Sequence, residues 1–519
     1  MSSHQSSAPG IEPPAQAPLE ALFRPALILM SGRFLGFIVA FCIPLVLVRI
    51  FDQAEFGTYK QLFLIFGTLF GVAQVGMAES LYYFLPLESR RAGGFVFNTM
   101  LVLGVLGSAI LLLLWLTRHE VAAFMNNPAL SEYSLLVGLF LLFMLMAVVL
   151  EILMTVRKQH VAASCSYALS DLIRALFYLG PVMVFASVRA LMVGAVTFAA
   201  ARLTAAVIYV KREFKTGLRP DRPALQRHLS YAVPFGLAAF IEVVQINYHM
   251  YAVSHYFDTA TFAIYAVGCL QIPLSDFLMT STSNVMMVNM REKILNDDLE
   301  AAAAIWLDSV RKLALIFFPL VACLLVVAKP LIVMLFTQSY IRSVPIFMLW
   351  TLTMLFATLL TDGALRVFAA TRFLIIQNSI RLILIIALIP WFLQKFGLIG
   401  AILVTLLAMG VGKVIALVWL RHIMAVSVQQ LLPWKSLIRT ALLSAIAAMP
   451  ALLIQSLLIK STPANSLLLA PELMLTGIIY SGTYYLLLRW YGPMDAEEKQ
   501  MLNDWLKFPF VWLGKVCRT

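Results

Sequence analysis

Charge is what this chain has least of. Asp, Glu, Lys and Arg make up 12% of its 519 residues, while 61% are hydrophobic and mean hydropathy is +0.90. Soluble domains carry about 25% charged residues, so the chain has too few polar side chains to cover a soluble globule and reads as an integral membrane protein. Cysteine is sparse as well. Cys42, Cys165, Cys269, Cys323 and Cys517 are scattered, with no spacing that resembles zinc ligands or a disulfide framework. They read as small apolar residues, and neither a metal nor a cofactor is expected. Long polar insertions are missing: the longest connections between apolar runs, 211–229 and 289–309, are too short to fold as domains. No Ser-His-Asp group, paired His or DxD-like cluster stands at an interface, so an enzyme is not expected. No basic-aromatic groove accompanies the net charge of +12, and nucleic acid is not an expected partner.

What is present is a series of apolar runs long enough to cross about 30 Å of hydrocarbon as helices. They fall at 25–49, 60–85, 94–116, 133–156, 161–185, 189–210, 230–255, 262–288, 310–336, 344–370, 373–394, 397–420, 437–459 and 467–490, fourteen in all. The first and seventh runs end in nearly the same turn. Phe51-Asp52-Gln53-Ala54-Glu55-Phe56-Gly57-Thr58-Tyr59 and Phe257-Asp258-Thr259-Ala260-Thr261-Phe262-Ala263-Ile264-Tyr265 share Phe, Asp, Ala, Phe and Tyr in register, 206 residues apart. Gly194-Ala195 is answered by Gly400-Ala401 at the same offset, and Asp171-Leu172-Ile173-Arg174 by Asn378-Ser379-Ile380-Arg381 one residue out of step. An offset of six spans makes the duplication parallel, with its pseudo-two-fold axis along the membrane normal.

The expected fold is therefore an all-α polytopic membrane protein of two parallel six-helix lobes plus two extra C-terminal helices. Its expected parts are a disordered cytoplasmic tail (1–21), an N-lobe (22–210), a basic cytoplasmic linker (211–229), a C-lobe (230–422), the added helices (437–490) and an amphipathic cytoplasmic tail (491–519). The tail at 1–21 lacks the short apolar region of a signal peptide. Lys and Arg concentrate in the connections after even-numbered spans, including Arg90, Arg91, Arg157, Lys158, Lys211, Arg212, Arg219, Arg291 and Lys293. That bias places both termini in the cytoplasm.

An ionised side chain at the bilayer centre costs about 2.5 to 3.5 kcal/mol on insertion scales, so such groups face a cavity or a partner. Arg33, Glu151, Asp171, Arg174, Arg202, Glu242, Asp276, Asp362, Arg366, Arg381 and Lys413 all fall inside apolar runs. Asp171 with Arg174 and Asp362 with Arg366 are spaced to meet on one helical face, which serves a self-neutralised structural pair as well as a binding site. Arg381 differs from its repeat mate Arg174 because Asn378 stands where the first copy has Asp171. With less local neutralisation it is a candidate to hold an anion, and with Arg33 and Arg174 it predicts a cavity of positive potential. Glu242, Asp171 and Asp362 are the candidates for ion or proton coupling. Arg202 and Lys413 have no partner that the sequence reveals.

Several segments resemble the polysaccharide transporter family, the Wzx-type flippases of the multidrug/oligosaccharidyl-lipid/polysaccharide exporter superfamily. They are Gly32-Arg33-Phe34-Leu35-Gly36-Phe37, the Asp52 to Tyr59 turn, Tyr231-Ala232-Val233-Pro234-Phe235-Gly236, Ala263-Ile264-Tyr265-Ala266-Val267, Phe336-Thr337-Gln338-Ser339-Tyr340 and Phe396-Gly397-Leu398-Ile399-Gly400-Ala401. The resemblance implies a bacterial inner-membrane flippase that moves an undecaprenyl-diphosphate-linked oligosaccharide by alternating access. Its partners would be that lipid-linked substrate, membrane lipids and the polysaccharide polymerase and export machinery. The segment from Arg33 also resembles lipid II flippases, in which an Arg at that place lines the cavity. On this reading Arg33, Arg174, Arg381 and Arg366 would hold the diphosphate. Two other functions stay open: a multidrug or cation antiporter of the same superfamily, which should have a net acidic cavity, and a polymerase or ligase of the same pathway, which should have a large periplasmic loop.

Overall fold

The computed structural model describes residues 36–215, 217–427, 429–458, 469–495 and 498–500. The expected tail at 1–21, Arg33 and the amphipathic stretch from 501 onward lie outside the described residues. Among the described residues every regular element is a helix.

Among the described residues the helices fall into fourteen units in order. α1 is described over Gly36–Ile50, and α2 runs Gln53–Ala73 and resumes over Leu81–Leu87. α3 is Ala92–Leu116, α4 Leu130–Val156, α5 His160–Phe185, α6 Val188–Glu213 and α7 Arg222–Tyr256. α8 is split into Thr259–Gly268 and Pro273–Leu295, and α9 is Leu299–Phe336. α10 is built from Val344–Thr351, Thr353–Ala357 and Thr361–Val367. α11 is Thr371–Phe396, α12 Leu398–Met424, α13 Trp434–Leu458 and α14 Ala470–Tyr491. Ten of the described helices are long and apolar enough to cross a membrane unbroken, and α7, bent by 43° after Pro234, makes an eleventh. This is a multi-pass membrane protein.

The duplication is visible in matched local chemistry. Asp52 accepts a hydrogen bond from the Glu55 backbone N–H at 2.7 Å, and Asp258 accepts one from Thr261 N–H at 2.6 Å, so each opens the next helix of its own lobe as an N-cap. Glu55 completes a capping box in the first copy by accepting from the Asp52 N–H at 3.2 Å. Gly194 and Gly400 also act alike. A Cβ on Gly194 would collide with the Phe177 carbonyl of α5, and one on Gly400 with the Phe392 carbonyl of α11. In both lobes the sixth helix therefore closes on the fifth with no side chain between their backbones.

The two repeat turns lie beside each other: a Cβ on Gly57 would strike the Thr259 carbonyl oxygen. The copies therefore run in the same direction, as a parallel duplication demands. This end of the molecule is tied across the lobes. Arg49 donates to the carbonyls of Leu335 at 2.9 Å and Met334 at 2.8 Å, two acceptors left free at the C-terminus of α9. Gln53 donates to the Ser339 carbonyl at 2.7 Å, and Phe56 meets Tyr340 edge-on at 5.8 Å between ring centres. Gly57→Val is expected to wedge this end apart, lowering the melting temperature of the purified protein and exposing a Cys placed at Thr259 to a water-soluble thiol reagent. An unchanged melting curve with Thr259→Cys still protected would show that the lobes are not closed through this contact.

At the opposite end the lobes meet through the start of α7. Arg227 forks onto Glu88 at 2.7 and 2.9 Å, His228 bonds Ser80, and Tyr231 stacks on Tyr83 at 5.0 Å. α8 reaches Leu295 and α9 begins at Leu299, so most of the connection expected at 289–309 is helix. α13 and α14 pack on α9 through Val326, Val327, Ala447, Ala451, Tyr480 and Tyr484. Arg311 of α9 ties the segment after α14 in place, donating to Glu498 at 2.6 and 2.8 Å and to the Pro493 carbonyl at 2.8 Å.

Candidate functional site

Membrane helices seldom break, because freed backbone groups find no water in hydrocarbon. Irregular backbone at that depth lines a cavity or is buried in protein. α8 breaks at Leu270-Gln271-Ile272, where Pro273 opens its second piece and cannot extend the first. α10 breaks before Thr361, with Leu360 in the left-handed conformation at φ 44°. Both breaks border a single cavity of about 1010 Å³ walled by α7, α8, α10, α11 and α12, all from the second lobe.

Five of the sequence-derived candidates meet there. Glu242 comes from α7, Asp276 from α8, Asp362 and Arg366 from the last piece of α10, and Arg381 from α11. Arg381 has no salt bridge among the described residues. Its closest polar contact is a long 3.4 Å hydrogen bond to Asn378, and its Nε is buried without a partner. Asn378 stands where the first copy carries a carboxylate, so the missing charge leaves this guanidinium free toward the cavity. In the first lobe the equivalent group is neutralised: Arg174 donates to Asp171 at 2.8 Å, and Asp171 lies directly against Gly36 of α1. Neither Asp171 nor Arg174 is on the wall of the second-lobe cavity. Arg33 is outside the described residues.

The expected pair of Asp362 with Arg366 does not form. Asp362 faces Lys413 of α12 at 3.8 Å, and Lys413 also donates to the Thr361 hydroxyl at 2.9 Å. The seven-residue last piece of α10 turns Asp362 toward α12 and leaves Arg366 on the cavity wall. The expectation of a cavity of positive potential is also corrected on this side: Arg366 and Arg381 share the wall with three carboxylates, Glu242, Asp276 and Asp362.

Arg202, unpaired in the sequence reading, finds Glu151 of α4 at 2.8 Å and Ser170 of α5; Ser166 also donates to Glu151 at 3.1 Å. Both charges are thereby held inside the first lobe. Residues that sequence reasoning passed over also line the cavity: Gln245, Gln271 and Trp350. Glu242 and Gln245 are three apart on α7, a polar stripe in an apolar run, and Gln271-Ile272-Pro273 marks the break in α8. Those were the available signals. No group of three or more His, Cys, Asp or Glu among the described residues has the placement to hold a metal ion.

No curated protein matches the chain in sequence. Solved structures share its fold. "Lipid II flippase MurJ, inward closed conformation" aligns with a TM-score of 0.67 at 14% identity, covering 90% of this chain and 99% of that one. An inward-facing multidrug resistance MATE family transporter of the MOP superfamily aligns at 0.56 and 12% identity, covering 77% and 98%. A MOP superfamily transporter from Pyrococcus furiosus, described as having a binding pocket of reverse polarity, aligns at 0.54 and 12%, covering 78% and 96%. The architecture is thus that of MOP-superfamily transporters. Residues 46–345, more than half of the chain, match the family described as polysaccharide biosynthesis protein, and the chain belongs to that family.

Proposed function

We propose that this protein is a flippase that carries an undecaprenyl-diphosphate-linked oligosaccharide from the cytoplasmic to the periplasmic leaflet of a bacterial inner membrane, with both termini in the cytoplasm. The observation that carries this reading is Arg381, an arginine at membrane depth with no salt bridge among the described residues, facing a cavity beside Arg366 in a chain of a polysaccharide biosynthesis family. A guanidinium stays charged when desolvated, and its planar fork fits two phosphate oxygens at once. The diphosphate and sugars are the parts of such a lipid that hydrocarbon rejects, while the prenyl chain can stay in lipid. Arg33 and Arg174 of the first lobe would meet the diphosphate when the lobes rearrange. Asp362, already facing Lys413, and Glu242 would carry any coupling ion. The cross-lobe closure at the Phe51 and Phe257 turns fits a state closed toward the periplasm.

An antiporter of organic cations is the second reading, favoured by Glu242, Asp276 and Asp362 on the same wall. Deleting the gene separates the two. A flippase requires lipid-linked repeat units to accumulate on the cytoplasmic leaflet with loss of surface polysaccharide; an antiporter requires increased sensitivity to cationic drugs with polysaccharide intact. Reporter fusions after Arg219 and after Gln500 are expected to report cytoplasm, and a periplasmic signal at either would reverse the assigned direction.

A further inference from the structure

The cavity wall carries both signs of charge. Asp362, Arg366, Asn378 and Arg381 come from α10 and α11, and Glu242, Gln245, Gln271 and Asp276 from α7 and α8. Glu242, Gln245, Gln271 and Asp276 make no hydrogen bond or ion pair with another described residue. Gln245 is 4% exposed. Its amide opens on the cavity, leaving two N–H donors and a carbonyl acceptor, and polar groups at this depth are satisfied by ligand or water. The interruption of α8 adds Leu270, Gln271 and Ile272 to the same surface.

Trp350 of α10 adds a flat apolar face to the wall, and its position is set from behind. His249 lies 5.2 Å from the indole ring centre, is 3% exposed and shares a 2.7 Å hydrogen bond with the Tyr265 hydroxyl. An aromatic face next to carboxylates and amides suits a sugar ring. The apolar C–H face of the sugar lies on the indole, its hydroxyls donate to the carboxylates, and the amides both donate and accept.

We infer that Glu242, Gln245, Gln271, Asp276 and Trp350 form a glycan subsite that binds the sugar nearest the diphosphate, while Arg366 and Arg381 hold the diphosphate itself; this rests on the flippase reading above. Arg366 and Arg381 draw in a neutral sugar joined to an anion, which a wall of carboxylates alone would not do. The carboxylates and amides then bind the hydroxyls of the headgroup, so the cavity favours the finished lipid-linked glycan over the carrier lipid left after its use.

The test is binding of two probes to the full chain in detergent, followed by native mass spectrometry: undecaprenyl diphosphate, and the same lipid bearing the oligosaccharide, extracted from cells lacking this gene. Trp350→Ala is expected to weaken the glycan-bearing probe about tenfold or more, as loss of an aromatic anchor does, and to leave undecaprenyl diphosphate unchanged. Gln271→Ala and Glu242→Gln, at side chains exposed to the cavity, are expected to act in the same direction if Trp350→Ala fails to fold. Arg381→Ala should weaken both probes. Equal weakening of both probes by the Trp350, Gln271 and Glu242 variants, or no weakening by any of them, overturns the glycan subsite and leaves the flippase reading standing. Failure of the unaltered protein to bind either probe overturns both.

Discussion

Replacing Glu151 by Ala is expected to destabilise the protein by about 3 to 5 kcal/mol, the usual result of stranding one member of a buried ion pair. Glu151 and Arg202 meet at 2.8 Å with side chains only 3% and 15% exposed, and the Nε of Arg202 has no partner even in the intact pair. Without the carboxylate the guanidinium keeps Ser170 as its remaining polar contact among the described residues, and one hydroxyl cannot replace a charge. Folded protein recovered from membranes should fall sharply, and what remains should melt at lower temperature. The double variant Glu151→Leu with Arg202→Met removes both charges and is expected to regain most of the loss, because well-packed apolar residues of similar size often replace a buried pair at no net cost. Normal abundance and melting of Glu151→Ala, or a double variant as poor as the single, would show that the pair does not support the fold.

Arg381→Ala is expected to reduce polysaccharide export per folded molecule by an order of magnitude or more. Loss of a hydrogen bond to a charged group costs about 1.5 to 3 kcal/mol, and each 1.4 kcal/mol is about tenfold in occupancy. The same change should be mild for stability, since Arg381 has only the 3.4 Å contact to Asn378 to lose and one Nε with no partner. Arg381→Lys is expected to rescue in part, as a point charge in place of a fork. Arg174→Ala should behave differently. It strands Asp171, which lies against Gly36 of α1, so reduced abundance is expected alongside reduced export. Near-normal export per folded molecule in Arg381→Ala would remove this residue from the mechanism.

The parts of this architecture that depend on order along the chain were legible in the sequence. Run lengths located the fourteen spans, and the Phe51 and Phe257 turns revealed a duplication whose Asp52 and Asp258 perform the same capping in the structure. The substitution of Asn378 for a carboxylate correctly singled out Arg381 as the less neutralised arginine of its pair. What stayed hidden depends on how helices are rotated against one another. In a run apolar on every side, periodicity does not say which face meets which neighbour. Arg202 therefore showed no sign of Glu151, fifty-one positions away, and Lys413 none of Asp362. Asp362 and Arg366 have the spacing of an ion pair, but a break before Thr361 and a lysine from α12 separate them. Trp350 and Gln245 looked like residues of ordinary apolar runs, and only the fold brings them to one wall.

The most direct test of the central claim is translocation in proteoliposomes. Vesicles containing the purified chain and the glycan-bearing undecaprenyl diphosphate would be sealed, and a glycosidase added outside would report how much of the lipid pool becomes accessible with time. Essentially the whole pool should become accessible with the unaltered protein, about tenfold or more slowly with Arg381→Ala, and only the outer leaflet in vesicles without protein. Accessibility that stops at the outer leaflet in vesicles containing folded, unaltered protein, while the same vesicles exchange an organic cation, would contradict the flippase account.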